Sequence, residues 1–522
     1  MSRLTAFVLG FVVLAVVVAG GVWAVQHHSD LSAELPPVPS PSTSGQPWPS
    51  GSASPSTAAT GLQAFYAQKL SWSSCHGSDR CATLTVPLDY EKPDGDTIKL
   101  ALLMVPSAKA SDDQGPLVVN PGGPGASGVD FAASANGFFS RTIREHFDIV
   151  GFDPRGVGRS DPVDCLSDSD LDAYIGSVAA PTTPDEVQDY VHSNDAIGAG
   201  CVAKSGDLAS HISTVEAARD LDILRAALGQ KQLTYYGASY GTELGTVYAD
   251  LFPKKVGRFV LDGAVDPSVS PRELGLQQAA AFEQELRQYV ADCVSGGNCF
   301  LGDTVDDGIA RIQQLLTDVD STPLPAGGGR ELQGGAAFYG VIAPLYSKGN
   351  WPYLTQALKA AFQGDGSQLL TLSDWYTART AKGYSDNSME ALYAITCLDN
   401  PWSIPASQVP DELPAFEKAS PTFGATFAWS LTGCSGWTPR AEEAEPPVGA
   451  PGANPIVVIG TTRDPVTPLK WAQDLAADLD SGVLVTRDGD GHTAYDSGNA
   501  CIIGAVDGYL VDGDVPDNGL AC

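Results

Sequence analysis

QLTYYGASYGTELGTVYADLF, residues 232–252, reads as a short apolar strand (Leu233 to Tyr236), a tight G-A-S-Y-G turn carrying Ser239, and a helix that runs until Pro253 stops it. Small residues two before and two after the serine permit a strained backbone that pushes its Oγ out of a sheet. Ser239 is therefore the candidate nucleophile. With 56 glycines in 522 residues the pentapeptide alone is a weak signal, and a Gly-rich turn without chemistry would share it. The strand before it, the helix after it and the proline stop carry the assignment.

Upstream, Ala82 to Leu88 and Ile98 to Val105 flank the turn residues Lys92-Pro93-Asp94-Gly95 and read as a β-hairpin. Pro116 to Asn120 is a buried strand opening into Pro121-Gly122-Gly123-Pro124-Gly125, a loop whose backbone N–H groups can face an anion. It lacks the G-K-[ST] that a phosphate cradle needs. Phe147 to Phe152 is a further strand. Ser213-Thr-Val-Glu216 forms a capping box for a helix whose Leu221, Leu224 and Leu228 share a face. Arg258 to Leu261 supplies a strand closed by Asp262-Gly263, and the strand pattern resumes at 455–460 and 482–486. Strands alternating with helices at this spacing specify an α/β fold with a mostly parallel sheet and helices on both faces. Between residues 266 and 445 strand signals nearly vanish and helical periodicities replace them, at Phe282, Leu286, Tyr289, Val290 and again at Trp351, Leu354, Leu358, Phe362. That stretch is expected to be a large, mainly helical cap inserted before the acid-bearing strand.

The expected division is therefore an export segment at 1–25, a Pro/Ser-rich linker at 26–60, the first part of the core at 61–265, the cap at 266–445 and the second part of the core at 446–522. Arg3 precedes an uncharged run from Leu4 to Val25, long enough to span a bilayer as a signal anchor. Val22 and Ala24 offer a small-residue cleavage site, so cleaved and anchored forms both stay open. Ten cysteines, none in a C-x-x-C pair, speak against zinc ribbons and thioredoxin-type motifs. Behind an export signal they are expected as disulfides joining nearest neighbours, Cys75/Cys81, Cys165/Cys201, Cys293/Cys299, Cys397/Cys434 and Cys501/Cys522. A net charge of −32 repels nucleic-acid phosphates and anionic headgroups, so nucleic acid is not an expected partner and the membrane enters only through the N-terminal segment. The same charge favours a soluble, extracytoplasmic monomer.

An order of serine, acid, histidine along such a fold is that of an α/β-hydrolase. Of seven histidines only His492 follows Ser239, and it lies in a Gly-rich loop just past the last strand. Asp464, in Thr461-Thr-Arg-Asp-Pro-Val-Thr-Pro468 after the preceding strand, is the expected orienting acid. Asp488 and Asp490 are rivals, but each is too near His492 along the loop to reach Nδ1 from behind. Backbone N–H groups of Gly123 and Tyr240 are the expected oxyanion donors. No metal or organic cofactor is implied.

The ordered series N-P-G-G-P-G at 120–125, G-F-D-P-R-G-V-G-R-S at 151–160, G-A-S-Y-G-T at 237–242, V-L-D-G at 260–263, D-P-V-T-P at 464–468 and G-H at 491–492 resembles the secreted tripeptidyl aminopeptidase group of actinobacterial α/β-hydrolases, relatives of proline iminopeptidase. The resemblance runs from about residue 65 to the end. It implies a serine exopeptidase that releases short peptides, tripeptides in particular, from substrates with free N-termini. Proline iminopeptidases carry histidine before G-G-P-G where this chain has Asn120-Pro121, which argues against release of single prolines. The A-I-T-C-L-D stretch at 394–399 resembles the group's cap, and an exopeptidase needs an acid for the substrate ammonium. Asp399 is the expected partner and Glu390 the alternative. Two other readings stay open: an esterase or lipase using the same triad, and a catalytically inactive surface-binding homologue.

Overall fold

The computed structural model describes residues 60–109 and 114–522. The expected export segment, and all of the linker but Thr60, lie outside the described residues. The strands are β1 (Ser73–Ser74), β2 (Arg80–Pro87), β3 (Thr97–Val105), β4 (Pro116–Asn120), β5 (Asp148–Phe152), β6 (Leu233–Ala238), β7 (Val256–Asp262), β8 (Ile456–Arg463), β9 (Gly482–Asp490) and β10 (Leu520–Ala521). They form one sheet in the order β1-β2-β3-β5-β4-β6-β7-β8-β9-β10. Neighbours from β5 to β10 run parallel, and β1, β2, β3 and β5 pair antiparallel. The fold is thus the expected α/β-hydrolase fold.

Successive strand residues point to opposite faces, and the burial follows that period. Val118, Tyr235, Leu261 and Val458 join one apolar cluster; Val119, Tyr236, Val260 and Ile459 join the cluster on the other face. Both faces are covered, so the central strands read as unbroken apolar runs. The chain passes from β4 to β5 on one side and returns to β6 on the other. This reversal opens a crevice at the strands' carboxyl ends, where α/β sheets place their sites.

The principal helices are α1 (Asp168–Gly176), α2 (Pro184–Ser205), α3 (Thr214–Ala227), α4 (Tyr240–Leu251), α5 (Pro271–Ser295) and α6 (Ser388–Asp399). Between β7 and β8 the regular elements are helices apart from two short antiparallel strand pairs. The helical layer is wider than the sequence pattern suggests, because α1 and α2, upstream of the nucleophile turn, pack on it. Leu171 and Ile175 of α1 cluster with Met389 of α6, Tyr190 of α2 meets the Trp429 ring at 5.7 Å, and Asn194 donates to Thr432 at 3.1 Å. At Gly198 a Cβ would stand 2.4 Å from the Gly436 carbonyl. Part of this contact is made by glycines, which leave no apolar stripe for a periodicity to reveal.

At the start of α3 the Ser213 hydroxyl accepts from the Glu216 N–H, but the reciprocal half of the expected capping box is absent. Glu216 turns to His211 Nδ1 at 2.9 Å and to the Ser213 hydroxyl at 3.0 Å. Arg155, from the D-P-R-G motif, is fully buried and bidentate on Asp220, at 2.8 and 2.7 Å, while donating to the Pro87, Leu88 and His211 carbonyls. A guanidinium fork suits such a clamp, and its partners satisfy every charge it buries. Five disulfides join Cys75–Cys81, Cys165–Cys201, Cys293–Cys299, Cys397–Cys434 and Cys501–Cys522, the nearest-neighbour scheme. They fit an oxidising compartment. Among the described residues no helix is long and apolar enough to cross a membrane.

Candidate active site

Ser239 sits between β6 and α4 with φ 55° and ψ −129°, a conformation that costs a non-glycine residue about 1–3 kcal/mol. Its surroundings enforce it. A Cβ at Gly237 would stand 2.2 Å from the Gly241 carbonyl oxygen, and one at Gly241 would stand 2.7 Å from that of Asn120. The Ser239 N–H donates to the Asp262 carbonyl at 2.9 Å, and its carbonyl accepts from the Thr242 N–H and hydroxyl at 2.8 and 2.6 Å. Buried residues stand on both sides while Ser239 itself is half-buried, its side chain lining a cavity of about 540 Å³.

The loop after β4 lies against this turn. A Cβ at Gly122, where φ is 98°, would stand 2.5 Å from the Ala238 carbonyl oxygen and 2.8 Å from both Ser239 Cβ and the Tyr240 nitrogen. Only glycine permits that approach. Gly123 and Tyr240, the expected oxyanion donors, line the cavity together with Ser239.

At the ends of β8 and β9 the structure brings Asp464 and His492 together. His492 Nδ1 is 2.9 Å from each carboxylate oxygen of Asp464. The same carboxylate accepts from the N–H groups of Val466 and Thr467 at 2.9 Å, the Thr467 hydroxyl at 3.0 Å and the Thr493 N–H at 3.1 Å. The His492 N–H donates to the Tyr346 carbonyl at 2.8 Å, and the Tyr346 ring stands edge-on at 5.6 Å. Burial pushes the imidazole pKa down, but the charge and hydrogen bond of Asp464, with Asp262 and Asp496 behind, lift it above its ordinary value. Nε2 is buried with no hydrogen-bond partner among the described residues, Ser239 Oγ included. Such bonds often tighten only when substrate is bound. The rivals Asp488 and Asp490 are both engaged by Arg463, so neither serves His492 Nδ1.

One wall of the cavity is acidic. Asp399, the last residue of α6, accepts from the Thr214 N–H and hydroxyl at 2.9 and 2.7 Å. Glu243, one helical turn after Ser239, and Glu445, on the segment returning to β8, line the same space. Burial raises all three carboxyls: Asp399 to about 7 against the Thr214 bonds, Glu243 to about 8 with help from the Asp399 charge, and Glu445 to about 9 with help from Glu243, Asp399 and Asp250. Glu445 Oε1 is buried without a partner. Glu390 is not on this wall. Its Oε1 accepts from the Cys165 and Leu166 N–H groups at 2.8 Å. Nine residues at about 100° each put Glu390 and Asp399 on opposite faces of α6, so one faces the cavity and the other anchors the cap. The spacing of Glu243 from Ser239 was a usable signal for the wall, whereas nothing local marks Glu445.

Away from the cavity, Asp89, His211 and Glu442 bring ligating atoms within 4.8 Å of one another. Lys92 already pairs with Asp89 at 2.5 Å and Glu216 meets His211 Nδ1 at 2.9 Å, so Asp89 and His211 already have partners.

Residues 115–304 match the family described as alpha/beta hydrolase fold, and residues 420–522 the family described as TAP-like protein. The chain is 37% identical over 476 residues to the serine protease Hip1 of Mycobacterium tuberculosis, spanning 87% of this chain and 91% of the relative. It is 37% identical over 472 residues to carboxylesterase B of the same organism, spanning 87% and 90%. To the tripeptidyl aminopeptidase of Streptomyces coelicolor it is 31% identical over 458 residues, spanning 85% and 83%. A serine on a strained strand-to-helix turn, a paired aspartate and histidine and a helical layer over the sheet ends thus occur in a chain that is like these hydrolases over 85–87% of its length. The chain belongs to the tripeptidyl aminopeptidase-like family of α/β-hydrolases, and is a serine hydrolase.

Proposed function

We propose that this protein is an exported serine exopeptidase that releases short peptides, tripeptides in particular, from free N-termini. Ser239 Oγ attacks the scissile carbonyl as His492 Nε2 takes its proton; His492 then delivers that proton to the leaving amine. Asp464 holds the imidazole tautomer and offsets the imidazolium charge. The Gly123 and Tyr240 N–H groups receive the oxyanion, each worth about 3 kcal/mol in comparable sites. Water enters against the acyl-enzyme and the same base returns Ser239 to its free form.

The observation that carries the exopeptidase reading is the acidic wall. Three carboxyls buried together beside Ser239 are held toward their neutral forms first by burial; a cation among them would favour their ionised forms, and the α-ammonium of a peptide supplies one. Three extended residues span about 10 Å, and Glu243 starts about 6 Å along α4 from Ser239, so the wall lies on the scale of a short N-terminal fragment. Export rests on the apolar N-terminal run and the disulfides. A second reading, an esterase, draws on the 37% identity to carboxylesterase B.

One comparison separates the two. A tripeptidyl coumarylamide and its N-acetyl form are assayed side by side, with Asp399→Asn as the variant. Acetylation is expected to lower kcat/KM on the order of a hundredfold, the scale of a lost charge-assisted contact, and Asp399→Asn to cause a similar loss on the free peptide alone. Equal turnover of both forms, with faster cleavage of simple acyl esters, would make the protein an esterase.

A further inference from the structure

The nucleophile turn and the histidine loop lie more than 250 residues apart in sequence, and one residue bonds to both. Asp262 is the last residue of β7, fully buried. Its carbonyl accepts from the Ser239 N–H at 2.9 Å. Its carboxylate accepts from the N–H groups of Ala494 and Tyr495, both at 2.9 Å, and from the Tyr236 hydroxyl at 2.8 Å. Ala494 and Tyr495 are the second and third residues after His492. Next to Asp262, Gly263 has φ 68°, and a Cβ there would stand 3.1 Å from His492 Cε1, so the imidazole lies directly over the end of β7.

We propose that Asp262 is a positioning residue that locks the His492 loop to the nucleophile turn, through its carboxylate on one side and its carbonyl on the other. The proposal rests on reading Ser239, Asp464 and His492 as the catalytic triad. A fully buried carboxylate is expensive unless its oxygens are satisfied, and three donors do that here. Two of them are backbone groups of the loop whose placement decides whether Nε2 faces Ser239. A displacement of about 1 Å at such a site is enough to lose roughly a hundredfold in rate.

Asp262 also acts on the imidazole electrostatically. The groups that face His492 or raise its field are Asp464 after β8, Asp262 at the end of β7 and Asp496 in its own loop; Tyr346 stands edge-on to the ring, and Glu285 of α5 interacts with Asp464 from the cap side. Burial raises the Asp262 pKa to about 6, against the pull of its Tyr495, Tyr236 and Ala494 donors. Above that pH its charge holds the His492 pKa up. Removing the charge therefore lowers the pKa of the base.

The test uses the full chain with Asp262→Asn and, as a milder change, Tyr236→Phe, which removes one donor and leaves the backbone clasp. Thermal unfolding and disulfide mapping report the fold; kcat, KM, the pH profile and the rate of fluorophosphonate labelling at Ser239 report the site. Asp262→Asn is expected to lower kcat and the labelling rate ten- to a hundredfold, to leave KM within threefold, and to move the acid limb of kcat/KM to lower pH. Tyr236→Phe is expected to do the same more weakly, because Asp262 without that donor is more easily protonated. An unchanged acid limb with kcat within twofold of wild type overturns the proposal. If Asp262→Asn fails to fold, Tyr236→Phe decides on the same criterion. Wild-type protein that takes no fluorophosphonate at Ser239 overturns the triad reading, and this proposal with it.

Discussion

Ser239 and His492 contribute different things, and their replacement separates chemistry from fold. Ser239→Ala keeps a side chain as small as the original in the same backbone conformation, so turnover should vanish while the unfolding midpoint stays within a few degrees. His492→Ala should lower kcat by roughly a hundred- to ten-thousandfold, the range of a lost general base. In wild type the acid limb of kcat/KM should have its midpoint above the ordinary imidazole value of 6.5, because the carboxylates around His492 outweigh its burial. Activity is lost as pH falls through that midpoint, since the protonated ring cannot accept from Ser239. A limb well below 6.5, or retained turnover in His492→Ala, would remove His492 from the mechanism. His492 was legible by elimination and Asp464 by its place after a strand. Glu445 was not legible, because the acids it meets come from distant segments and only the folded chain assembles them.

At the level of elements, the site is built from strand ends and the turns that follow them. The six central strands were legible because each is an apolar run bounded by turn residues, whereas β1 and β10 are two-residue edges with no period to read. The helices α1 and α2 escaped assignment to the helical layer for the reason given by Gly198 and Gly436: part of the seam is glycine against glycine. A tight seam lies at the site itself, where the β4 loop meets the Ser239 turn. Gly122→Ala would place a Cβ 2.5 Å from the Ala238 carbonyl oxygen and force an alanine to φ 98°. Backbone cannot yield there without moving the Tyr240 N–H. The expected result is a stability loss of about 1–3 kcal/mol and at least a tenfold lower kcat, read by thermal unfolding and peptide hydrolysis. Wild-type kcat in this variant would mean that the loop does not shape the oxyanion site.

For the whole molecule the dominant fact is acid. The net charge is −32, and several carboxyls are held above their ordinary pKa by burial: Asp262 and Asp250 at about 6, Asp399 at about 7, Glu243 and Glu285 at about 8. Glu285 isolates the effect. It lies on α5, the cap helix whose Gln278 donates to the Val466 carbonyl at 2.9 Å, it is fully buried, and neither of its oxygens has a partner among the described residues. Burial, then the Asp490 and Asp464 charges, raise its pKa, with Arg463 and Lys348 opposing. Below about pH 4.5 the carboxyl is protonated in both folded and unfolded chains and stability does not depend on it. Between 4.5 and 8 the unfolded chain releases the proton while the folded chain keeps it, so stability falls as pH rises; above 8 the loss is complete. Carboxyls held low by partners, such as Asp172 against Arg379 and Glu186 at the start of α2, act in the opposite sense and only at acid pH, as the pH drops below the usual carboxylate range. The wild-type unfolding midpoint should therefore be highest near pH 5–6 and decline toward pH 8. Glu285→Gln cannot ionise, and although its amide is also unsatisfied, that cost of about 1–3 kcal/mol is the same at every pH. The midpoint of Glu285→Gln minus that of wild type should rise steadily between pH 4.5 and 8, by several degrees in all. A difference that stays flat across that range would show Glu285 to be ionised and solvated, and would mean that the cap does not close over the Asp464 loop as tightly as described.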